Sequence, residues 1–297
     1  MGDILIGTCS WTDPTLIESS RFYPNPSLSA EARLRYYASR FPIVEVDSPY
    51  YALPSERTSG LWVKRTGDNF IFDIKAFRLF TQHPTPPASL PRDIREALPS
   101  KIGSKNSLYY HDLPEELLQE TWHRFQQALL PLDSSGKLGV VLFQFPPWFR
   151  YGERQCAYII SCRENLPQYT IAIEFRHNSW LNEKNIEYTL SFLRQHNLPF
   201  VCVDEPQGFP SSVPPFAVAT SDIALVRFHG RNRQTWEKKD IGPAERFNYR
   251  YTREELAEWI PRMKELAAKT HQLHILFNNC HQDKAVTNAS QIRLMLD

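Results

Sequence analysis

The chain has 297 residues, 42% hydrophobic and 23% charged, which is typical of a globular protein with a sizeable core. Its 34 Lys and Arg nearly balance its 33 Asp and Glu, so the net charge of +1 excludes a strong overall field for nucleic acid or an anionic membrane. No apolar stretch approaches the roughly 18 residues that span a bilayer, no secretory signal is recognisable, and five scattered cysteines lead us to expect a cytoplasmic protein.

Eight short apolar runs, rich in β-branched residues, recur along the chain between polar loops and amphipathic stretches. In order, they are Ile4–Gly7, Ile43–Asp47, Phe70–Lys75, Val140–Phe145, Thr170–Arg176, Phe200–Asp204, Ala224–His229 and His274–Asn278. Strands that alternate with helices predict a parallel sheet, and eight is the number that closes a barrel. The sequence therefore predicts an α/β fold, a single (β/α)8 TIM-barrel-like domain over residues 1–297.

The stretches between these runs have the apolar spacing and the end signals of helices. The predicted helices are Ser29–Arg40, Pro54 to about Arg65, Pro114–Leu130, Glu183–His196, Thr252 to about Lys269, and Ala285–Leu296. Ser55 is a candidate N-cap, and Thr252 with Glu255 three residues later is typical of a capping box.

The connection between the third and fourth predicted strands, residues 76–112, is much longer than the others and rich in proline. Most loops of this length are functional or disordered. Because the segment leaves the carboxyl end of a strand, we expect it to lie over the barrel mouth as a lid or a pocket wall. A surface insertion without a functional role is an equally weighted alternative to the lid or wall.

Polar residues end seven consecutive predicted strands. Successive strand residues point to opposite faces, so apolar residues that face the helices leave their polar neighbours facing the barrel axis. The predicted inward set is Glu45, Asp47, Asp73, Lys75, Gln144, Glu174, Arg176, Asp204, Arg227, His229 and Asn278. Barrel enzymes build their sites at the carboxyl ends of strands, so we expect a polar pocket there. For Glu45 and Asp73, which sit deeper, an internal salt-bridge network with Arg or Lys is the better interpretation.

The positive and negative charges of this predicted inward set nearly cancel, and they surround the imidazole of His229. Such a mixture favours general acid/base chemistry on a small polar, sugar-like or phosphorylated molecule, as in a hydrolase, lyase or isomerase. Glu174, Lys75 and His229 are the predicted proton-transfer residues, with Asp204 orienting one of them. Crowding by arginines would lower the pKa of Lys75 and make it a base or a nucleophile.

The predicted substrate-binding residues surround these groups. They are Trp11, Asp47, Tyr50, Gln144, Arg176, Arg227 and Asn278. The arginines and the amide would hold an anionic or hydroxyl-rich group, and the aromatic rings would stack on a sugar or a base.

Several short motifs lie at the predicted strand ends. They are Gly7-Thr8-Cys9-Ser10-Trp11, Phe22-Tyr23-Pro24, Val44-Glu45-Val46-Asp47, Tyr50-Tyr51, Phe70-Ile71-Phe72-Asp73-Ile74-Lys75, Leu142-Phe143-Gln144-Phe145-Pro146-Pro147, Ile173-Glu174-Phe175-Arg176, Ser179-Trp180, Val226-Arg227-Phe228-His229-Gly230, Phe277-Asn278-Asn279 and Asn288-Ala289. Together they resemble, over essentially the whole chain, the uncharacterised barrel proteins called domain of unknown function 72, or YecE-like. The resemblance implies a TIM-barrel-like fold and no established activity. Cys9-Ser10-Trp11 departs from the usual Ser-Gly-Trp of the family, and Thr81-Gln82-His83 matches its Thr-His only loosely.

A divalent metal is one alternative basis for the chemistry. Asp47, Glu174, Asp204 and His229 offer oxygen and nitrogen ligands for hydrolysis or isomerisation. Against it, no His-x-His spacing occurs and the basic neighbours would repel the cation. We therefore assign no metal ligands and leave the cofactor open.

A sulfur-based site is a weaker alternative. Cys9 and Cys280 would lie close if the barrel closes, and Cys202 should point inward below Asp204. Buried small thiols are the commoner explanation of such cysteines.

Nucleic acid is a second, less favoured partner, after a small-molecule substrate. The loop after the seventh strand, residues 229–239, interleaves basic residues with Trp236, as sites for sugar-phosphate backbones do. A solvated loop is the plainer interpretation of Lys238 and Lys239. A non-catalytic ligand-binding module on the same barrel is a third interpretation, and the oligomeric state is left open.

Overall fold

The computed structural model describes residues 2–296. Its strands are β1 (Asp3–Thr8), β2 (Ile43–Val46), β3 (Ile71–Lys75), β4 (Leu138–Gln144), β5 (Ile171–Glu174), β6 (Val201–Asp204), β7 (Ile223–Phe228) and β8 (Gln272–Phe277). They form one parallel sheet in the order β5-β4-β3-β2-β1-β8-β7-β6, and a bridge between Ile173 and Phe200 joins its two ends. The predicted TIM-barrel-like α/β fold is confirmed, and each predicted run coincides with a strand.

Helices lie in the connections between the strands, except in the described connection from β6 to β7, which has none. They are α1 (Pro14–Glu18), α2 (Ala30–Ala38), α3 (Ser48–Tyr51), α4 (Glu56–Lys64), α5 (Arg92–Glu96), α6 (Ser100–Gly103), α7 (Glu115–Ser134), α8 (Glu153–Glu164), α9 (Ile186–Gln195), α10 (Pro243–Arg246), α11 (Arg253–Ala257), α12 (Ile260–Lys269) and α13 (Lys284–Leu296). No helix within residues 2–296 is long and apolar enough to cross a membrane.

Two helix starts agree with their sequence signals, and one predicted helix is divided. Ser55 caps α4, and Thr252 and Glu255 form the capping box of α11. The single helix predicted from Thr252 to about Lys269 is wrong, because α11 ends before α12 begins. Pro261 lies in the first turn of α12, and a proline lacks the N–H that a helix interior needs, so it favours a new start there.

Inside the barrel, polar side chains pair with one another. Asp73 accepts a hydrogen bond from Nδ1 of His274 at 2.9 Å. A Cβ on Gly139 would come within 2.2 Å of Asp73, so only glycine fits beside this pair. The expected internal salt bridge is confirmed for Glu45, which pairs with Arg227 at 2.6 Å. For Asp73 it is wrong, since a histidine takes the place of Arg or Lys.

The long connection after β3, residues 76–112, is folded and well packed. It contains α5 and α6, and Phe80 stacks on Trp122 of α7 with ring centroids 3.5 Å apart. Near its start, His83 reaches the cavity at the barrel mouth. The segment therefore contributes to the cavity wall through His83 and packs on α7 beyond it, while its role as a lid stays a prediction.

Candidate functional site

A cavity of about 800 Å³ opens at the carboxyl ends of the strands. Six of the predicted site residues line it: Trp11, Asp47, Tyr50, Lys75, Gln144 and Asn278. The remaining predicted site residues lie outside this lining: Glu174, Arg176, Asp204, Arg227 and His229. Side-chain parity thus identified the barrel mouth, but it did not separate the cavity wall from the layer beneath it.

The Lys75–Asp47 pair is the charged centre of the cavity wall. Nζ of Lys75 lies 3.1 Å from Oδ1 of Asp47 and 5.0 Å from the centre of the Tyr50 ring. Burial opposes the ammonium charge, but the carboxylates of Asp47 and Glu45 outweigh it and raise the pKa of Lys75. The predicted lowering of this pKa is wrong, and the raised pKa favours a charged ammonium over a base or nucleophile at Lys75.

His83 is a wall residue that we did not select from the sequence. Its Nδ1 lies 2.9 Å from Oγ1 of Thr81, and its ring contacts Tyr50 and Trp148 edge-on. Burial, with the nearby charge of Lys75, lowers the pKa of His83 to about 3, so the imidazole is neutral. The available sequence signal was Thr81-Gln82-His83, which resembles the family's Thr-His only loosely.

Beneath the cavity, Arg227 joins two carboxylates that lie on β2 and β5. It donates to both oxygens of Glu45, at 2.6 and 2.8 Å, and also to Glu174. Burial and the charge of Asp47 raise the pKa of Glu45 to about 7 despite this pairing. Burial also opposes the ionisation of Glu174, yet Arg227, His229 and Arg176 together hold its pKa well below the ordinary value. Glu174 is therefore the carboxylate that stays ionised.

A buried chain of hydrogen bonds runs from this cluster to the cavity. Oε1 of Glu174 lies 3.0 Å from Nε2 of His229, and Nδ1 of His229 lies 2.9 Å from Nδ2 of Asn278. Arg176 also donates to Glu174, at 3.3 Å. Burial first, and then Arg227 and Arg176, lower the pKa of His229 to about 4, so the imidazole is neutral.

Asp204 does not belong to this site, and its predicted inward orientation is wrong. In the β6–β7 register it pairs with Phe228, whose ring packs against Tyr251 and Trp259. Paired residues of neighbouring strands share a face, so Asp204 points toward the helices. Its carboxylate accepts hydrogen bonds from Trp259 at 2.7 Å, Tyr251 at 2.8 Å and Arg231 at 2.8 and 2.9 Å.

An Asp204→Asn variant is therefore expected to lose stability without altering the cavity. The carboxamide would turn an N–H toward one of the buried donors, which should cost about 2–3 kcal/mol. Urea unfolding measures this loss, with Asp222→Asn at an exposed position as the control. Unchanged stability of Asp204→Asn would contradict the assignment.

Comparison with known proteins decides the family. The sequence model described as protein of unknown function DUF72 matches residues 5–297. The chain belongs to the DUF72 family. It is also 35% identical, over 298 residues, to the UPF0759 protein YunF of Bacillus subtilis strain 168, and the match covers 99% of this chain and 95% of that protein.

Solved DUF72 structures share the whole barrel. A DUF72 protein from Enterococcus faecalis V583 aligns with a TM-score of 0.79 at 27% identity, covering 99% of this chain and 95% of the other. A DUF72 protein from Thermotoga maritima MSB8 aligns with a TM-score of 0.74 at 29% identity, covering 99% of both chains. A family of unknown function assigns no reaction, so the chemistry of this DUF72 cavity has to be inferred from its own residues.

Glu205, the residue directly after β6, is an inward carboxylate that is absent from the predicted set. It follows Asp204 and has the opposite parity, so its Oε2 lies 3.6 Å from Nε of Arg176. The backbone N–H of Val213 donates to its other oxygen at 2.8 Å. Burial raises the pKa of Glu205 to about 8, even though the charge of Arg176 opposes the rise. Counting parity from the neighbouring strand would have found this residue.

The basic loop after β7 of the DUF72 protein is occupied by internal contacts. Arg231 is bound by carboxylates, and Arg233 donates to a backbone carbonyl at 2.6 Å. Trp236 is buried, with the Arg176 guanidinium 4.5 Å from the centre of its ring. Residues 238–239 are exposed. Arg231 and Arg233 are thus engaged within the protein, and binding of nucleic acid to the loop stays a prediction.

The proposed metal ligands do not converge. Asp204 faces the helices, Asp47 pairs with a lysine, and Glu174 and His229 bind each other. Within residues 2–296, no group of three or more His, Cys, Asp or Glu side chains is arranged to hold a metal ion.

The three cysteines of the predicted sulfur site are free thiols, of which Cys9 and Cys202 are buried and Cys280 is half-buried. Cys9 and Cys280 pack in one cluster, and Sγ of Cys9 lies 3.7 Å from the Arg227 guanidinium. Burial raises the pKa of both thiols, which favours unreactive, protonated groups. Cys202 pairs in register with the outward Val226, so its predicted inward orientation is wrong.

Proposed function

We propose that this DUF72 protein is an enzyme that performs general acid/base chemistry on a small polar molecule bound in the mouth cavity. The observation that carries the proposal is the Lys75–Asp47 pair, 3.1 Å apart, in the wall of an 800 Å³ cavity at the carboxyl ends of barrel strands. Barrel enzymes have their catalytic groups at this end. The chemistry fits a hydrolase, lyase or isomerase.

Asp47 and Lys75 divide the proton transfer between them. The Asp47 carboxylate accepts a proton from a substrate hydroxyl or carbon acid, and the Lys75 ammonium donates to the oxygen that becomes negative. Glu45 lies behind them in the same wall with both of its oxygens bound by Arg227, so in this proposal it positions the pair and does not exchange protons with it.

Glu174 and His229 act in this proposal as positioning residues and not in proton transfer. Both oxygens of Glu174 are engaged by Arg227, Arg176 and His229, and both ring nitrogens of His229 are engaged as well. A saturated carboxylate is a weak base. The cavity wall itself, with Trp11, Tyr50, Gln144 and Asn278, provides the aromatic and amide groups for binding.

A turnover screen tests the proposal. Wild-type protein is incubated with a panel of sugars, sugar phosphates and small hydroxy acids, and consumption is followed by proton NMR. Asp47→Asn is expected to lower kcat by about 100-fold or more, because it removes the base. Asp68→Asn, at an exposed position, is the control. Turnover by Asp47→Asn at the wild-type rate contradicts the proposal. If compounds of the panel shift the melting temperature of the wild-type protein but none is turned over, the binding-module alternative is favoured.

A further inference from the structure

We infer that the amide oxygen of Asn278 faces the cavity as a fixed hydrogen-bond acceptor, and that the cavity therefore selects a hydroxyl-rich, polyol-like ligand over a phosphate group. The inference rests on the proposed function and names its substrate class. It is carried by the buried chain of Glu174, His229 and Asn278, of which the last residue lines the cavity.

The first step is that Glu174 accepts hydrogen bonds only. Arg227 donates to Oε2 and Arg176 to Oε1, so two guanidinium groups face one carboxylate that has no contact with water. An ionised carboxylate has lone pairs and no proton to donate. Since Oε1 lies 3.0 Å from Nε2 of His229, that nitrogen has to carry the proton of this hydrogen bond.

The second step is that the imidazole of His229 carries a single proton. Its ring is buried beside Trp236 and Phe247, at centroid distances of 6.3 and 5.8 Å. Of the charged groups around it, Glu174 is shared between Arg227 and Arg176, while Glu45 is paired with Arg227 and Glu205 lies beside Arg176. Glu174 is the only one of these carboxylates that contacts His229, so a second proton would add a third positive charge around it in a dry site. With the proton on Nε2, Nδ1 has a lone pair.

The third step fixes the amide. The lone pair on Nδ1 of His229 needs a donor, and Nδ2 of Asn278 lies 2.9 Å away. Rotating the amide by half a turn would set the Asn278 oxygen against this lone pair, so the two acceptors would repel. Nδ2 therefore faces His229, and Oδ1 is directed to the cavity side of Asn278.

This orientation decides which ligand groups the wall accepts. Asn278 and Asp47 present acceptor oxygens, and Lys75 presents a cationic donor. A hydroxyl can donate to an acceptor oxygen and accept from Lys75 at the same time. An ionised phosphate offers mainly acceptor oxygens, which would meet the oxygens of Asn278 and Asp47 unfavourably. A molecule with neighbouring hydroxyls satisfies all three groups.

Histidine NMR tests the orientation directly, without any ligand. The protein contains nine histidines, and a His229→Gln variant identifies the signal of interest in 15N- and 13C-labelled protein. We expect His229 to be the neutral tautomer with its proton on Nε2 throughout the neutral pH range. The opposite tautomer, or a doubly protonated ring, would overturn the inference.

A binding comparison tests the selection. The probes are myo-inositol and inorganic phosphate, measured by ligand-observed NMR and by thermal shift. We expect myo-inositol to bind more tightly, and Asn278→Leu to weaken it by about tenfold while Asn106→Leu, at an exposed position, leaves it unchanged. Phosphate binding at least as tightly, no binding of myo-inositol, or an unchanged affinity in a folded Asn278→Leu protein would each overturn the selection.

The two proposals can fail separately. If the tautomer and the preference for myo-inositol hold while no compound of the panel is turned over, the enzymatic function fails and the acceptor role of Asn278 stands. If sugar phosphates are turned over while His229 carries its proton on Nδ1, the acceptor role fails and the enzymatic function stands.

Discussion

Replacing Lys75 with methionine is expected to lower kcat by about 100- to 10,000-fold, the usual contribution of a positioned acid or base. Methionine has a similar length but no charge and no proton to donate to the substrate oxygen. The variant should still fold, because the Asp47 carboxylate that loses its partner at 3.1 Å keeps 28% of its side-chain surface in contact with water. Steady-state kinetics on the substrate found in the turnover screen give kcat and KM.

A second substitution separates charge from donor geometry at this position. Lys75→Arg keeps the positive charge, so KM should stay near the wild-type value, while kcat stays low because a longer, planar guanidinium cannot place a donor where the compact ammonium does. Lys264→Met, at an exposed position of α12, controls for the loss of a lysine elsewhere. Turnover at the wild-type rate by Lys75→Met would show that the reaction does not need this ammonium.

Replacing Arg227 with methionine is expected to destabilise the protein by about 3–5 kcal/mol, the cost of leaving buried charges without their partner. Arg227 is fully buried and is the shared donor to Glu45 and Glu174, which lie on β2 and β5. Without it, both carboxylates would face each other's charge in a dry barrel interior. Urea unfolding measures the loss, and Arg163→Met, on the exposed face of α8, should change stability by no more than about 0.5 kcal/mol.

The size of this loss should depend on pH. Burial already raises the pKa of Glu45 from 4.5 to about 7, so the folded state binds its proton more tightly than the unfolded state does. The contribution of Glu45 to stability therefore falls as pH rises from 4.5 to 7. In Arg227→Met the guanidinium that lowers the pKa of Glu45 is gone, so this pKa rises further. The loss of stability with rising pH therefore continues to a higher pH than in the wild-type protein. A variant that loses as much at about pH 5 as at about pH 8 would contradict this account.

Side-chain parity predicted the polar layer where strands alternate between apolar and polar residues, and it failed where they do not. In β2, an alternating strand, Glu45 was placed correctly. In β6 the residues before Asp204 are Val201, Cys202 and Val203, which are buried on both faces. Such a strand has no polar residue before its end to mark the inner face. Its orientation is set by pairing with β7 instead.

Parity also could not separate residues that line the cavity from residues that support it. Glu174, His229 and Arg227 all point inward as predicted, yet they bind one another beneath the cavity. Which inward group meets which depends on strand stagger and side-chain length, and neither appears in a single strand's sequence. His83 lies in a loop, where no periodicity applies, so only the path of the chain brings it to the wall.

The sequence by itself determined the strand number, the parallel order of a barrel and the end at which polar groups gather, because these follow from periodicities that each segment carries alone. Only the tertiary structure decided the charge state of Lys75, the face of Asp204 and the donor–acceptor direction through His229. These depend on distances between residues remote in the chain, and electrostatic and hydrogen-bond energies change steeply over one or two ångströms.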